Sequence, residues 1–153
     1  MKTGLQWLLF GCLGGGGCLA APAKSSGPSE SNGVEMAIVS LDCDDSDEPE
    51  YQGFEAVQLR MRISVTNRGT ANVGFDPDRI RLIAPDSVTP SPVAADSAMV
   101  VAPRETKVAA LRFMNRGSLK CKEEMKLDPS DSLDAGTKLV PLRPIAFIAR
   151  KGS

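Results

Sequence analysis

An acidic run, DCDDSDEPE at residues 42–50, carries the densest group of metal-binding side chains in the sequence. It holds six carboxylates in nine residues, and hard cations such as calcium bind several oxygen ligands at once. An EF-hand loop starting at Asp42 would need a glycine at Asp47 and a glutamate at Gly53, and neither is present. We therefore interpret the run as a solvated acidic loop. Asp42, Asp44 and Asp47 are the candidate metal ligands within it, and no resident metal or other cofactor is expected.

Four cysteines offer a second kind of chemistry. Cys12 and Cys18 lie close to the N-terminus, whereas Cys43 and Cys121 lie in the part of the chain that is patterned like a folded domain. In an exported protein, Cys43 and Cys121 are expected to form a disulfide in an oxidising compartment. The alternative, a redox or metal-binding pair, lacks both a Cys-x-x-Cys spacing and any histidine.

The N-terminal residues have the character of an export signal. Lys2 precedes an apolar stretch, GLQWLLFGCLGGGG, which is too short and too interrupted by glycine to span a bilayer. This segment resembles a bacterial lipoprotein precursor, in which small residues precede a cysteine that receives diacylglycerol before the signal is removed. Cys18 follows a run of glycines and is the predicted lipidation site. Cys12 is the alternative, with the leucine that the motif prefers at Leu9 but a bulky Phe10 after it.

The lipoprotein resemblance implies a signal peptide over residues 1–17 and attachment to a membrane through an N-terminal lipid. Leu19 is not the aspartate that retains enterobacterial lipoproteins at the inner membrane, so the outer membrane is expected. In the alternative, a signal peptidase cuts after Ala21-Pro22-Ala23 and releases a soluble periplasmic or secreted protein. Residues 18–33 are rich in Ser, Gly, Pro and Ala without apolar periodicity, and are predicted to form a disordered tether.

The overall composition narrows the function classes. The chain has 153 residues, a net charge of -1 and no histidine, which fits one domain with appendages. Nucleic acid is not expected as a partner, because binding the phosphate backbone needs a basic patch. Without histidine the chain lacks the usual general base near neutral pH, and we do not expect an enzyme.

From Val34 onward the dominant pattern has a period of two. The segment VQLRMRISVTN alternates apolar and polar residues from Val57 to Val65, which is typical of a half-buried antiparallel strand. The opening strand, VEMAIVSLDCD, changes phase near Ile38, which predicts either a bulge there or a strand that switches sheets. A turn of helix is expected within residues 119–128. Short strands with frequent turns predict an all-β, antiparallel β-sandwich over residues 34–153.

Two segments carry a resemblance to a known family. The run LRMRISVTNRGTANVGFDPDRIRLIAPDS, followed by VVAPRETKVAALRFMN, resembles the immunoglobulin-like domains of bacterial envelope lipoproteins. In that family a strand ending in Thr-Asn leads to a turn, a Phe/Pro/Asp segment and another strand. The resemblance implies an immunoglobulin-like sandwich behind a signal peptide and a flexible tether. It brings no catalytic residues with it.

Four arginines mark a possible binding face. They lie at outward positions of two predicted strands, and they are Arg60, Arg62, Arg79 and Arg81. If the two strands are neighbours in one sheet, the four side chains form a basic stripe that suits a partner. The alternative is ordinary solvent-facing decoration that discourages edge aggregation.

The function expected from these features is that of an exported, lipid-anchored, non-catalytic binding or structural module of the bacterial cell envelope, with an envelope protein as its partner. Two alternatives remain open. One is a soluble secreted inhibitor or immunity module. The other is a metal-handling protein that uses the acidic loop at residues 42–50.

Overall fold

The structure, a computed structural model, describes residues 24–44, 56–116 and 120–150. They form strands and turns, with a 3-10 helix at Pro77–Arg79. The strands are β1 (Lys24–Ser25), β2 (Ser29–Ser31), β3 (Val34–Asp44), β4 (Ala56–Asn67), β5 (Val73–Phe75), β6 (Arg81–Ala84), β7 (Ser87–Thr89), β8 (Ala94–Ala95), β9 (Met99–Val101), β10 (Thr106–Arg116), β11 (Glu124–Asp128), β12 (Leu133–Ala135), β13 (Lys138–Leu139) and β14 (Ile145–Ile148).

The strands pair antiparallel and form three sheets. The first sheet has the order β1-β14-β11-β6-β7, the second β2-β3-β4-β10-β8, and the third β13-β12-β5-β9. Phe147, Phe113 and Phe75 come from the first, second and third sheet respectively, and all three are buried in one continuous core. The domain is therefore an all-β antiparallel sandwich, as the alternating pattern predicts.

The long strands β3, β4 and β10 form the centre of the second sheet. β4 and β10 stay in register from the Thr66 and Thr106 pair to the Ala56 and Arg116 pair. Their inward positions, including Leu59, Ile63 and Phe113, are fully buried. Since successive side chains of a strand point to opposite faces, the residues between them form an outward face that is open to solvent.

Of the two explanations for the change of phase near Ile38, the bulge is the one that the structure shows, since β3 pairs with β4 on both sides of it. The register of β3 against β4 shifts between Ile38 and Ser40, and the intervening Val39 is 47% exposed. One extra residue changes which side chains point inward. Met36 before the bulge and Leu41 after it therefore both face the core.

The prediction of a disordered tether over residues 18–33 is wrong for residues 24–33. β1 pairs with β14 in the first sheet, and β2 pairs with β3 in the second, so this segment joins the two sheets along one edge. The buried Ser29 hydroxyl accepts a hydrogen bond from the Arg143 amide at 2.9 Å. Edge strands are held by backbone hydrogen bonds, which need no apolar pattern, and that is why the polar sequence was misleading. Residues 1–23, with the predicted signal peptide, lie outside the described residues.

The expected turn of helix within residues 119–128 is also wrong for residues 120–128, which the structure describes. Glu124–Asp128 form β11, which lies between β14 and β6 in the first sheet. Met125 and Leu127 are buried and Lys126 is exposed, so the segment follows the period of a strand rather than that of a helix.

In the described ranges we find no helix with the length and apolar character of a transmembrane span.

Candidate functional site

Cys43 and Cys121 form the predicted disulfide. Their Cα atoms are 5.8 Å apart, both residues are buried, and the bond joins the end of β3 to the turn before β11. This bond accounts for both cysteines of the described domain as structural residues. Cys12 and Cys18 lie outside the described residues.

The acidic run is described only in part, since Asp47 lies outside the described residues. Asp42, on the outward face of β3, accepts a hydrogen bond and ion pair from Arg60 on β4 at 2.7 Å. Asp44 is the last residue of β3. Within the described ranges no group of three or more acidic or cysteine side chains is arranged to hold a metal ion. Asp42 therefore acts here as the partner of an arginine.

The predicted basic stripe does not form. Arg60 and Arg62 lie on β4 in the second sheet, whereas Arg81 lies on β6 in the first sheet, and Arg79 belongs to the 3-10 helix. The predicted strand was correct from Arg81 onward, whereas Arg79 precedes it in the 3-10 helix. Alternation along a strand carries no information about which sheet the strand joins, so the sequence could not show that Arg81 lies in a different sheet from Arg60 and Arg62.

Arg79 and Arg81 each have a local acidic partner. The Arg79 Nε atom lies 3.1 Å from a carboxylate oxygen of Asp76, and the Arg81 Nη2 atom lies 2.7 Å from a carboxylate oxygen of Asp128. Ser130 adds to the second pair, since its amide donates to Asp128 at 3.1 Å and its hydroxyl accepts from Arg81 at 3.0 Å. These contacts explain both arginines by interactions within the domain.

Asp128 is the buried centre of the Arg81 contact. Burial by itself raises the pKa of Asp128, but hydrogen bonds from Ser130 and Arg81, together with the positive charge of Arg81, outweigh burial and lower the pKa overall. The lowered pKa therefore has a structural cause, first in the hydrogen bonds from Ser130 and then in the ion pair with Arg81.

A different arginine cluster lies on the outward face of the second sheet. In the register of β4 with β10, Arg60 stands opposite Arg112 and Arg62 stands opposite Ala110. Beside β10, the edge strand β8 pairs with Leu111 and Arg112. These strands border a concavity of about 380 Å³, which we call the arginine groove; its lining residues include Arg60, Arg62, Ala94, Asp96, Ala110 and Arg112.

The arginine groove owes its depth to small side chains. Ala94 and Ala110 border it, and both are exposed. Asp96 fixes the edge beside β10, since its amide donates to the Ala110 carbonyl at 3.1 Å and its carboxylate accepts from the Ala110 amide at 2.8 Å. The floor of the groove is thus a hydrogen-bonded sheet, and this sheet fixes the backbone positions of the arginines around the groove.

The three arginines of the groove are not equivalent. Arg60 is paired with Asp42, but among the described residues neither Arg62 nor Arg112 has an ion-pair partner. A guanidinium group presents several N–H donors in a fixed planar fork that matches a carboxylate or a phosphate. The groove can therefore bind an anionic group while apolar parts of the same ligand lie against the alanines.

Arg112 and Asp96 were missed by the sequence analysis. The position of Arg112 between the inward residues Leu111 and Phe113 signals an outward side chain, and that signal was available. Its pairing with Arg60 depends on the register of two strands about fifty residues apart, which a local pattern does not encode. Asp96 follows two prolines in a segment without periodicity, and no sequence signal marks it.

Comparison of the sequence with protein-family models and with curated proteins finds no match.

Proposed function

We propose that this protein is an exported, lipid-anchored, non-catalytic binding module of the bacterial cell envelope, with an immunoglobulin-like sandwich that engages an envelope protein through the arginine groove. The observation that carries the binding function is the pair of guanidinium groups, Arg62 and Arg112, that border the groove without a partner among the described residues. The backbone that carries these side chains is already ordered as paired strands, so binding needs no ordering of the main chain.

The proposal of lipid anchoring rests on Cys18 and on the export character of the residues before it. If the lipid is attached at Cys18, residues 19–23 separate the lipid from β1, which begins at Lys24. A segment of that length spans about 20 Å at full extension. The sandwich would therefore be held close to the membrane surface, and its partner would be found there too.

Cell fractionation and metabolic labelling with palmitate test the anchoring. We expect the full-length protein to take up label and to be found in the membrane fraction. Cys18→Ser should lose the label, and it should be released or accumulate as an unprocessed precursor. If Cys12→Ser has these effects and Cys18→Ser has none, the anchoring cysteine is Cys12. If neither change matters, the lipoprotein proposal is wrong, and a mature protein in the medium would favour a secreted inhibitor or immunity module.

Cross-linking in intact cells tests the binding function. A photo-reactive residue in place of Ala110, in the groove, should give a defined adduct with an envelope protein. The matched control is the same residue in place of Lys126, which is exposed on the first sheet. Adducts that are identical from both positions, or absent at Ala110, would contradict a binding role for the groove.

A further inference from the structure

We propose that the occupant of the arginine groove is an acidic segment of a protein partner, and that Arg62 and Arg112 pair with its carboxylates. This inference rests on the proposed binding function and specifies the chemistry of the ligand. It is argued from the register of the strands, the charges around the groove and the character of its lining.

The strand register concentrates positive charge at one place on the sheet. Arg60 and Arg112 are directly opposite each other, and Arg62 is the diagonal neighbour of Arg112. Like charges at directly opposed positions destabilise a sheet, and Asp42 offsets only the charge of Arg60. A carboxylate between Arg62 and Arg112 would relieve the remaining repulsion, and it could accept hydrogen bonds from both guanidinium groups.

The lining favours a peptide over a small hydrated ion. The alanines Ala94, Ala95 and Ala110 contribute apolar surface to the groove. Its volume of about 380 Å³ lies within the size range of sites that enclose organic ligands. An acidic side chain with its neighbouring backbone and an adjacent apolar side chain would satisfy both the arginines and the alanines.

The surrounding charges disfavour a polyanion such as nucleic acid. Asp42 lies on one side of the groove, next to Arg60, and Asp96 lies on the other. Binding to a phosphate backbone gains affinity from many cations along an extended track, whereas here two acidic groups border a short cluster of arginines. The geometry therefore suits one or two carboxylates at defined positions.

A change at Asp96 should strengthen binding, whereas changes at the arginines should weaken it. Its carboxylate keeps the Ala110 amide satisfied, and an asparagine could accept the same hydrogen bond through its side-chain oxygen. Asp96→Asn therefore removes a negative charge from the rim and retains the local structure. It should strengthen the binding of an acidic ligand, whereas a purely structural role for Asp96 predicts no change.

The experiment measures the fluorescence anisotropy of a labelled hexapeptide of alternating Glu and Val while the full-length protein, in detergent, is titrated into it. We expect saturable binding that weakens with salt, and no binding of the matching Gln and Val peptide. Arg62→Ala and Arg112→Ala should each weaken binding about tenfold, as expected for the loss of a charge-assisted hydrogen bond. Asp96→Asn should strengthen it about threefold, as expected for removal of one weak repulsion.

Two sets of matched variants separate this recognition from general charge. Arg79→Ala removes the same charge from a site outside the groove and should leave the affinity unchanged. Changing both Arg62 and Arg112 to Lys keeps the charge but should still weaken binding, because an ammonium group cannot reproduce the planar fork.

Three results would overturn the inference: no binding of the Glu peptide at millimolar concentration, an equal loss of affinity in Arg79→Ala, or tighter binding of oligothymidylate than of the Glu peptide. The last would assign the groove to polyanions. Peptide binding and membrane anchoring are measured separately, so a protein that binds the peptide but is released from cells would contradict the anchoring alone. If an envelope partner cross-links at the groove but the Glu peptide does not bind, the proposed binding function is supported and the inference of an acidic ligand is wrong.

Discussion

At the scale of single residues, the contacts of Asp128 with Ser130 and Arg81 make stability depend on pH. The lowered pKa of Asp128 means that its charged form is favoured in the folded state relative to the unfolded state. The stabilisation is therefore present above the ordinary carboxyl value of 3.8, and it is lost as the pH falls through the lowered pKa. We expect unfolding by acid to begin in that range.

Asp128→Asn tests whether Asp128 causes this pH dependence of stability. We expect it to lower the free energy of unfolding at neutral pH by about 1 kcal/mol, which is below the usual range for a hydrogen bond to a charged group because Arg81 is partly solvated. The difference between variant and parent should shrink as the pH falls below 3.8. Urea unfolding at several pH values measures this, with the exposed Asp134→Asn as control. A difference that is constant with pH would contradict an electrostatic cause.

At the scale of elements, the edge strands β1 and β2 attach the N-terminal segment to both five-stranded sheets. Ser29 is the clearest single contact, since its hydroxyl is buried and accepts from the Arg143 amide. Ser29→Ala should lower the free energy of unfolding by about 1 to 3 kcal/mol, because the Arg143 amide loses its acceptor. Ser31→Ala, on the same strand and less buried, should have a smaller effect. Equal effects in chemical denaturation would show that β2 contributes little through this contact.

The elements also show which features the sequence could predict. Period-two alternation predicted β4, because a strand that is buried on one face has apolar residues at every second position. The change of phase near Ile38 predicted an irregularity in β3 for the same reason, and the structure shows it as the bulge at Val39. The sequences of β1 and β2 have no such apolar pattern, since edge strands pair through the backbone. In the groove, Arg60 and Arg62 were identified from alternation, whereas their pairing with Arg112 and the different sheet of Arg81 arise from long-range strand order, which local sequence does not specify.

At the scale of the whole molecule, the disulfide between Cys43 and Cys121 ties two distant parts of the chain, 78 residues apart. Closing a loop of that length stabilises the folded state by about 4 kcal/mol in the chain-entropy model. Changing both cysteines to alanine should lower the free energy of unfolding by about 2 to 5 kcal/mol and leave the far-UV spectrum of the sandwich unchanged. Melting curves with and without reductant measure the same contribution in the parent protein. Identical curves would contradict a stabilising bridge.

The proposed export and lipid anchoring, together with the disulfide, would each leave a signature in the covalent mass of the protein. Intact mass spectrometry of the protein extracted from membranes, without reduction, tests them together. We predict a mature chain that begins at Cys18, carries the mass of an attached diacylglycerol, and lacks the two hydrogens of a Cys43–Cys121 dithiol. An unlipidated chain that begins at Lys24 or retains Met1, or one with Cys43 and Cys121 as free thiols, would contradict an exported, lipid-anchored and disulfide-bonded binding module.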